Sequence, residues 1–198
     1  MKYAPYVATQ ADKADIKSLF RSFTSETGCE AIFDDAHCDR HVQRILDTGI
    51  AFLLRKGSEV IGMVLCHRID AGFAMLEDIE TSHTYIVAHE RSYVATAALL
   101  KAVERHADEQ GVAVLFSQCD YRSAVAGDPG NSARVQKLYA LRGYRGPIGV
   151  VYATPNFIPV GATYLFNGVA ASDIAPMQGV CQRLPSPGAD EAGDVRDP

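Results

Sequence analysis

A helical pattern that runs directly into a continuous apolar segment is the feature that most constrains how this chain can fold. Residues 90–111, ERSYVATAALLKAVERHADEQG, carry apolar side chains at helical spacing and end at Gly111, a typical helix terminator. Residues 112–118, VAVLFSQ, are apolar without alternation, as in a strand that is covered on both faces and has a parallel neighbour. The sequence therefore predicts an α/β domain.

The segments on either side have strand and helix patterns in a regular order. Residues 8–26 form a helix with an apolar stripe at Ile16, Leu19, Phe20 and Phe23. The other predicted elements are a strand at 2–9, a helix from Asp34 to Leu46, a hairpin of 50–55 and 59–69, a strand at 73–88, a helix at 132–143, and strands at 148–153 and 162–166.

Composition and charge exclude several classes of protein. The net charge of -5 argues against a protein whose main partner is nucleic acid. The sequence has no apolar run of membrane-spanning length and no signal-peptide pattern at its start, so we expect a cytoplasmic chain that does not bind membranes. The five cysteines are scattered and lack the spacing of a zinc site.

The composition changes near the end of the chain. Residues 170–198 have no aromatic residue, four prolines and an excess of acids, so this stretch is too poor in apolar surface to form a core of its own. We therefore divide the chain into a domain at 1–168 and an extended tail at 169–198. Four spaced apolar residues in the tail indicate contact with a protein partner or another copy of the chain: Ile174, Met177, Val180 and Leu184.

Two segments carry a family resemblance. RSYVATAALL begins at Arg91, and NSARVQKLYALRGY contains Tyr139, Gly143 and Tyr144. Together with the order of elements over residues 3–166, these segments resemble the GNAT (Gcn5-related N-acetyltransferase) superfamily. The resemblance implies a mixed, mostly antiparallel sheet of six to seven strands flanked by about four helices.

In that family acyl-CoA lies between the fourth and fifth strands, and the following helix N-terminus receives the pyrophosphate. The family motif there is Q/R-x-x-G-x-G/A. Arg91 matches its first position, but Val94 and Thr96 replace the glycines that let the backbone approach phosphate, so the motif is degenerate. The resemblance implies acetyl-CoA contacts from Ile86, Val87, Ala88, Arg91, Ser92, Tyr93, Val94, Ala95, Thr96 and Asn131.

The resemblance also implies two catalytic residues. Glu80, eleven residues before Arg91, stands at the base position of histone-type members, with Glu77 and Asp78 as neighbouring alternatives. Side chains alternate between the two faces of a strand, so Glu80 is expected on the same face as Ser82 and Thr84. His83 is expected on the other face unless a bulge intervenes. The Tyr139 phenol would protonate the thiolate leaving group.

Each of these residues also has a purely structural interpretation. Tyr139 can be a core aromatic, Glu80 a solvated group on the sheet and Arg91 a surface cation. His37 and His41 have a spacing of four residues that suits a metal, but without further ligands we interpret them as part of a polar helix face and expect no metal site.

Two functions remain open at this point. The first is an acyl-CoA-dependent transfer of an acetyl group to a small-molecule or protein amine. The second is a GNAT-fold subunit without catalysis, held by its tail in a larger assembly such as a viral particle, and the absent glycines favour it.

Overall fold

The computed structural model describes residues 2–27, 34–69, 78–119, 137–153, 158–166 and 182–183. Within these ranges the strands are β1 (Tyr3–Val7), β2 (Ile50–Lys56), β3 (Glu59–Ile69), β4 (Asp78–Ile86), β5 (Val114–Cys119), β6 (Arg145–Ala153), β7 (Ile158–Phe166) and β8 (Gln182–Arg183). They form one sheet in the order β1-β2-β3-β4-β5-β7-β6-β8. Only the described pairs β4–β5 and β6–β8 are parallel, so the predicted mixed, mostly antiparallel sheet is confirmed.

Three long helices cover the two faces of the sheet: α1 (Lys13–Thr27), α2 (Asp35–Thr48) and α3 (Tyr93–Gln110). Residues 137–141 are also helical. The Asp34 side chain accepts the His37 N–H at 2.8 Å and so begins α2, while Gly111, at a φ of 65°, ends α3. The helices predicted at 8–26, 34–46 and 90–111 thus begin and end close to the residues that the sequence indicates, while the start of the helix predicted at 132–143 lies outside the described residues.

The core is divided between the two faces. On one face α1 and α2 pack on alternate residues of β2 and β3, including Leu53 and Met63. On the other face α3 packs on the intervening residues, including Phe52 and Val64. Full burial of each such side chain contributes roughly 1.5–3 kcal/mol, so the sheet and the helices on its two faces depend on one another for stability.

The segment that we predict to be a tail contributes β8 to the sheet. Gln182 and Arg183 pair in parallel with Val151 and Tyr152 at the edge of β6. At this point the segment is attached to the domain's own sheet, and the other residues of 169–198 lie outside the described ranges. The boundary at 168 and a partner contact by the tail stay predictions.

Gly49 joins α2 to β2 at a position that leaves no room for a side chain. A Cβ at Gly49 would lie 2.3 Å from the Cys66 carbonyl oxygen, a backbone atom that cannot easily move. We expect Gly49→Ala to lower the free energy of unfolding by about 1–3 kcal/mol, measured by urea denaturation. Gly111→Asn is the control, because nothing lies near a Cβ there and Asn tolerates a positive φ; equal losses in the two variants would contradict this explanation.

Candidate active site

The fourth and fifth strands separate from each other near the middle of the sheet. β4 pairs with β3 along nearly its whole length, from Asp78 to Ile86. It pairs with β5 only from Ile79 to Thr81, whereas β5 pairs with β7, on its other edge, along its whole length. Residues 82–86 of β4 therefore present an edge that β5 does not cover, and this opening is the candidate site.

A β-bulge lies at the point of separation. Leu65 of β3 pairs with His83 and Cys66 pairs with Thr81, which leaves Ser82 of β4 as an extra residue. A bulge bends its strand and increases the local twist, so it directs the rest of β4 away from β5. The bulge comes immediately after Thr81, the last position that pairs with β5.

The bulge also changes which residues share a face. Ile79 belongs to the core on the α3 side, so Glu80 is directed to the opposite face, toward α1 and α2. Beyond the extra residue, His83 contacts the Phe20 and Phe23 rings of α1 and so lies on that same face. The prediction that Glu80 and Thr84 share a face of the sheet is therefore wrong, because it assumes that the alternation along β4 is unbroken.

Three histidines meet on this face, and we call them the imidazole cluster: His41 of α2, His67 of β3 and His83 of β4. The His41 ring centroid lies 5.7 Å from that of His67 and 5.0 Å from that of His83. Phe20 stacks on His41 at 5.1 Å and meets the edge of His83 at 4.9 Å. All three histidine residues are half-buried, and the His41 Nε2 is fully buried.

The surroundings of the cluster keep its members neutral. Burial, followed by the positive charges of His67 and Arg44, lowers the pKa of His41 to about 4. Burial also lowers the pKa of His67, with a smaller contribution from Arg44. The pKa of His83 is lowered by burial and then by the other two histidines. At neutral pH these rings therefore act as uncharged hydrogen-bonding groups.

Glu80 stands beside this cluster. It pairs with His67 across β3 and β4, so the two side chains are neighbours on one face. Both side chains are partly exposed, whereas the adjacent Asp78 is buried and accepts the Ala113 N–H at 3.1 Å. Of the two described acids, Glu80 is the one placed to meet a ligand, and Glu77 lies outside the described residues.

Tyr139 approaches the opening from the other face. Its ring lies 4.6 Å from that of Phe116 and 5.3 Å from that of Tyr144, between centroids, in a cluster that includes Leu100 of α3. Phe116 pairs with Thr81, so Tyr139 is close to the point where the strands separate. Only 4% of Tyr139 is exposed, and Glu80 points to the opposite face, so the structure places the two residues on either side of the opening.

Hydrogen bonds within the chain occupy much of the loop between β4 and α3. The Ser92 side chain accepts the Ala95 N–H at 3.1 Å, and the Ser92 carbonyl accepts both the Thr96 N–H and the Thr96 hydroxyl at 3.0 Å. The amides of Tyr93 and Val94, in the first turn of α3, have no acceptor within the helix. These two N–H groups are the part of the helix start that remains available to an anion.

Arg91 has partners of its own. Its Nε donates to the Ile86 carbonyl at 2.8 Å, its guanidinium pairs with the Glu26 carboxylate, and its Cζ lies 5.3 Å from the Tyr85 ring centroid. The Tyr85 hydroxyl donates to the same carboxylate at 2.7 Å. Arg91 therefore joins α1 to the end of β4, and contact with a phosphate would require it to leave Glu26.

The residues at the two motif positions differ in their surroundings. Val94 is 64% exposed and projects from the helix start, whereas Thr96 is half-buried and its hydroxyl donates to the Ser92 carbonyl. On the other side of the loop, Glu90 pairs with Lys56 at 2.6 Å. These residues fit a phosphate less closely than the family motif does, whereas the open edge of β4 suits the amide groups of a pantetheine arm. Asn131 lies outside the described residues.

Sequence reasoning missed the imidazole cluster and the partner of Arg91. The histidines come from three elements, and no spacing along the chain connects them. Glu26 is 65 residues from Arg91. The described residues contain no group of three or more histidine, cysteine or acidic side chains placed to bind a metal, and no helix in those ranges is long and apolar enough to cross a membrane.

Comparison with known proteins places the fold among the GNAT acetyltransferases. No protein-family model matches the sequence, and no curated protein matches it. Among solved structures, an N-acetyltransferase from Staphylococcus aureus Mu50 has a TM-score of 0.59 at 13% identity, with 84% of this chain and 97% of that one covered. The histone acetyltransferase HPA2 and related acetyltransferase from Corynebacterium glutamicum has a TM-score of 0.62 at 14% identity, covering 86% and 98%.

A third similar structure was determined with acetyl-CoA. This predicted acetyltransferase from Clostridium acetobutylicum has a TM-score of 0.56 at 13% identity, covering 73% of this chain and 91% of that one. At these identities the likeness establishes the fold that the sequence motifs predict, a GNAT fold.

The imidazole cluster predicts a loss of stability in acid. Because the pKa of His41 falls to about 4 on folding, the unfolded chain binds a proton between pH 6.5 and 4 that the folded chain does not. The free energy of unfolding should therefore decrease as the pH falls through this range, by roughly 2–3 kcal/mol from His41. Urea denaturation at pH 7.5 and at pH 5 measures the change.

His41→Phe keeps a ring against Phe20 but cannot be protonated, so it should flatten this pH dependence. His37→Gln on the same helix is the control, because His37 is largely exposed and pairs with Asp34. A pH dependence that is unchanged in His41→Phe would show that other groups cause the acid sensitivity.

Proposed function

We propose that the chain is an N-acyltransferase that moves an acyl group, acetyl in the simplest case, from a pantetheine thioester to an amine. The observation that supports this proposal is the edge of β4 beside Glu80 that no described strand pairs with, at the point where β4 leaves β5. A backbone edge in the middle of a sheet needs a hydrogen-bonding partner, and the amides of a pantetheine arm can supply one.

The residues that would hold acetyl-CoA follow from this placement. The backbone of Ile86, Val87 and Ala88 would pair with the pantetheine arm, and the amides of Tyr93 and Val94 would contact phosphate at the start of α3. The donor supplies an activated thioester carbonyl. Main-chain N–H groups of β4 would polarise this carbonyl and hold it for attack.

Glu80 and Tyr139 would transfer the two protons. Glu80, partly exposed at the opening, would accept the proton that the amine loses as it attacks. Tyr139, which approaches from the α3 side, would donate a proton to the departing sulfur. Phe116, whose ring contacts that of Tyr139, borders the opening.

Removing the Glu80 carboxylate tests the proposal. Glu80→Gln should lower kcat by about 100-fold with little change in the Kd for acetyl-CoA, since the side chain acts on the amine and not on the donor. Thiol release from acetyl-CoA gives kcat, and calorimetry gives Kd. Glu109→Gln, an exposed acid on α3, is the control. A Glu80→Gln enzyme with unchanged kcat would contradict the assignment of the base.

A second candidate function is supported by the loop before α3. Arg91 is bound to Glu26, and Val94 and Thr96 replace glycines, so the chain can be a GNAT-fold binding subunit that does not use acetyl-CoA. Calorimetry with acetyl-CoA separates the two candidates. Micromolar binding supports the enzyme, whereas no binding, even in the Val94→Gly/Thr96→Gly variant, supports the binding subunit.

The tail offers a test of this second candidate. If residues 170–198 hold the chain to a partner or to another copy, their removal should weaken association while the melting temperature changes by no more than a few degrees. Sedimentation and thermal unfolding of the two chains measure both effects. A large fall in the melting temperature of the monomer would show that the tail stabilises its own domain, beyond the β8 pairing.

A further inference from the structure

A cavity of about 180 Å³ lies at the end of the sheet where β2 begins, and we call it the basal cavity. Apolar residues of β1, α2 and β2 form most of its lining, among them Val7, Leu46 and Ile50. Of the described residues that line it, Arg68 of β3 and His106 of α3 alone have polar side chains. The basal cavity thus combines an apolar lining with one cationic group.

The basal cavity is separate from the opening between β4 and β5. Arg68 pairs with Ile79 near the start of β4, whereas the open edge comprises residues 82–86 at the other end of that strand. His106 lies about 20 Å along α3 from Tyr93, at 1.5 Å per residue. A ligand in the basal cavity therefore does not occupy the place of acetyl-CoA.

We propose that the basal cavity binds a small carboxylate with a compact apolar body, of the size of 3-methylbutanoate. The carboxylate would pair with Arg68 beside His106, and the body would lie against the apolar lining. This proposal does not depend on the N-acyltransferase function, because it concerns other residues at the other end of β4.

The charges at the basal cavity favour a monoanion. Arg68 is exposed and has no ion-pair partner among the described residues, so its guanidinium can bind both oxygens of a carboxylate. Burial and the charge of Arg68 lower the pKa of His106, with an opposing effect of Glu109, so this ring is neutral at neutral pH. The nearby Arg105 faces Glu109 at 3.8 Å, which leaves Arg68 as the cation for a ligand.

The volume and the lining favour a compact apolar body. Apolar cavities of about 150 Å³ bind benzene, so the basal cavity suits a ligand of about six to eight non-hydrogen atoms. Val7 is 51% exposed where it lines the basal cavity, and a bound apolar body would remove part of this surface from water. Ile45 and Ile50 are buried and form the inner wall.

Three matched ligands test the proposal by calorimetry on the full chain. We expect 3-methylbutanoate to bind with a Kd of about 1 mM or lower. Its neutral isostere 3-methylbutanamide lacks the charge, and acetate lacks the apolar body, so each should bind at least about tenfold more weakly. Equal affinity for the acid and the amide, or no binding of 3-methylbutanoate, would overturn the proposal.

A variant connects this preference to Arg68. Because Arg68 is exposed, Arg68→Gln should fold normally, lower the affinity for 3-methylbutanoate about tenfold and leave that for 3-methylbutanamide unchanged. Arg105→Gln is the control, since this exposed arginine lines only the smaller depression beside the basal cavity. Full affinity for the acid in Arg68→Gln would show that the carboxylate does not bind there.

NMR spectra locate the bound ligand. In the chain without acetyl-CoA, 3-methylbutanoate should shift the imidazole signals of His106 in a saturable manner and leave those of His37 unchanged. Saturating acetyl-CoA should change the Kd for 3-methylbutanoate by less than about twofold. Competition between the two, or unmoved His106 signals, would overturn the proposal, and either result is independent of whether the chain acylates an amine.

Discussion

The separation of β4 from β5 after Thr81 is the constraint on which the rest of the structure depends. The two strands are parallel neighbours for three positions, and then the bulge at Ser82 turns β4 away while β5 remains paired with β7. A strand edge within a sheet leaves backbone groups that must find partners. One extra residue therefore both opens the sheet and brings Glu80 and His83 to the same face.

At the start of α3, in contrast, charged and polar groups already have partners within the chain. There the chain satisfies its own charges and hydrogen bonds, through the Ser92 cap and the pair between Arg91 and Glu26. An anion that binds at this point must compete with these interactions, whereas a pantetheine arm along β4 meets one of them, the bond from the Arg91 Nε to the Ile86 carbonyl. The two ends of the opening therefore differ in how readily they accept a ligand. The edge of β4 supports the N-acyltransferase, and the start of α3 supports the binding subunit.

Much of the fold could be predicted because local patterns determine it. The stripe of Ile16, Leu19 and Phe20 predicts the buried face of α1, and the apolar run after Gly111 predicts a buried strand with a parallel neighbour; both are confirmed. The bulge could not be predicted in this way. It is a property of the register between β3 and β4, and a bulge in one strand is visible only against its partner.

The site depends even more on long-range contacts. Glu80 and Tyr139 follow from a family resemblance, but their placement on opposite faces depends on the alternation of Ile79 and Glu80 along β4 and on the packing of Tyr139 against Phe116. The imidazole cluster joins α2, β3 and β4, and the pair of Arg91 with Glu26 joins α1 to the end of β4. Such contacts arise only when the tertiary structure forms, so residue type and spacing do not reveal them.

Amide hydrogen exchange of residues 82–86 tests the central claim most directly. If this part of β4 is an open edge that a pantetheine thioester covers, its outward amides should exchange quickly in the chain alone and at least about tenfold more slowly with saturating acetyl-CoA. Residues 79–81, which already pair with β5, should change little. Protection of these outward amides without ligand, or no change in their exchange on adding acetyl-CoA, would contradict the account.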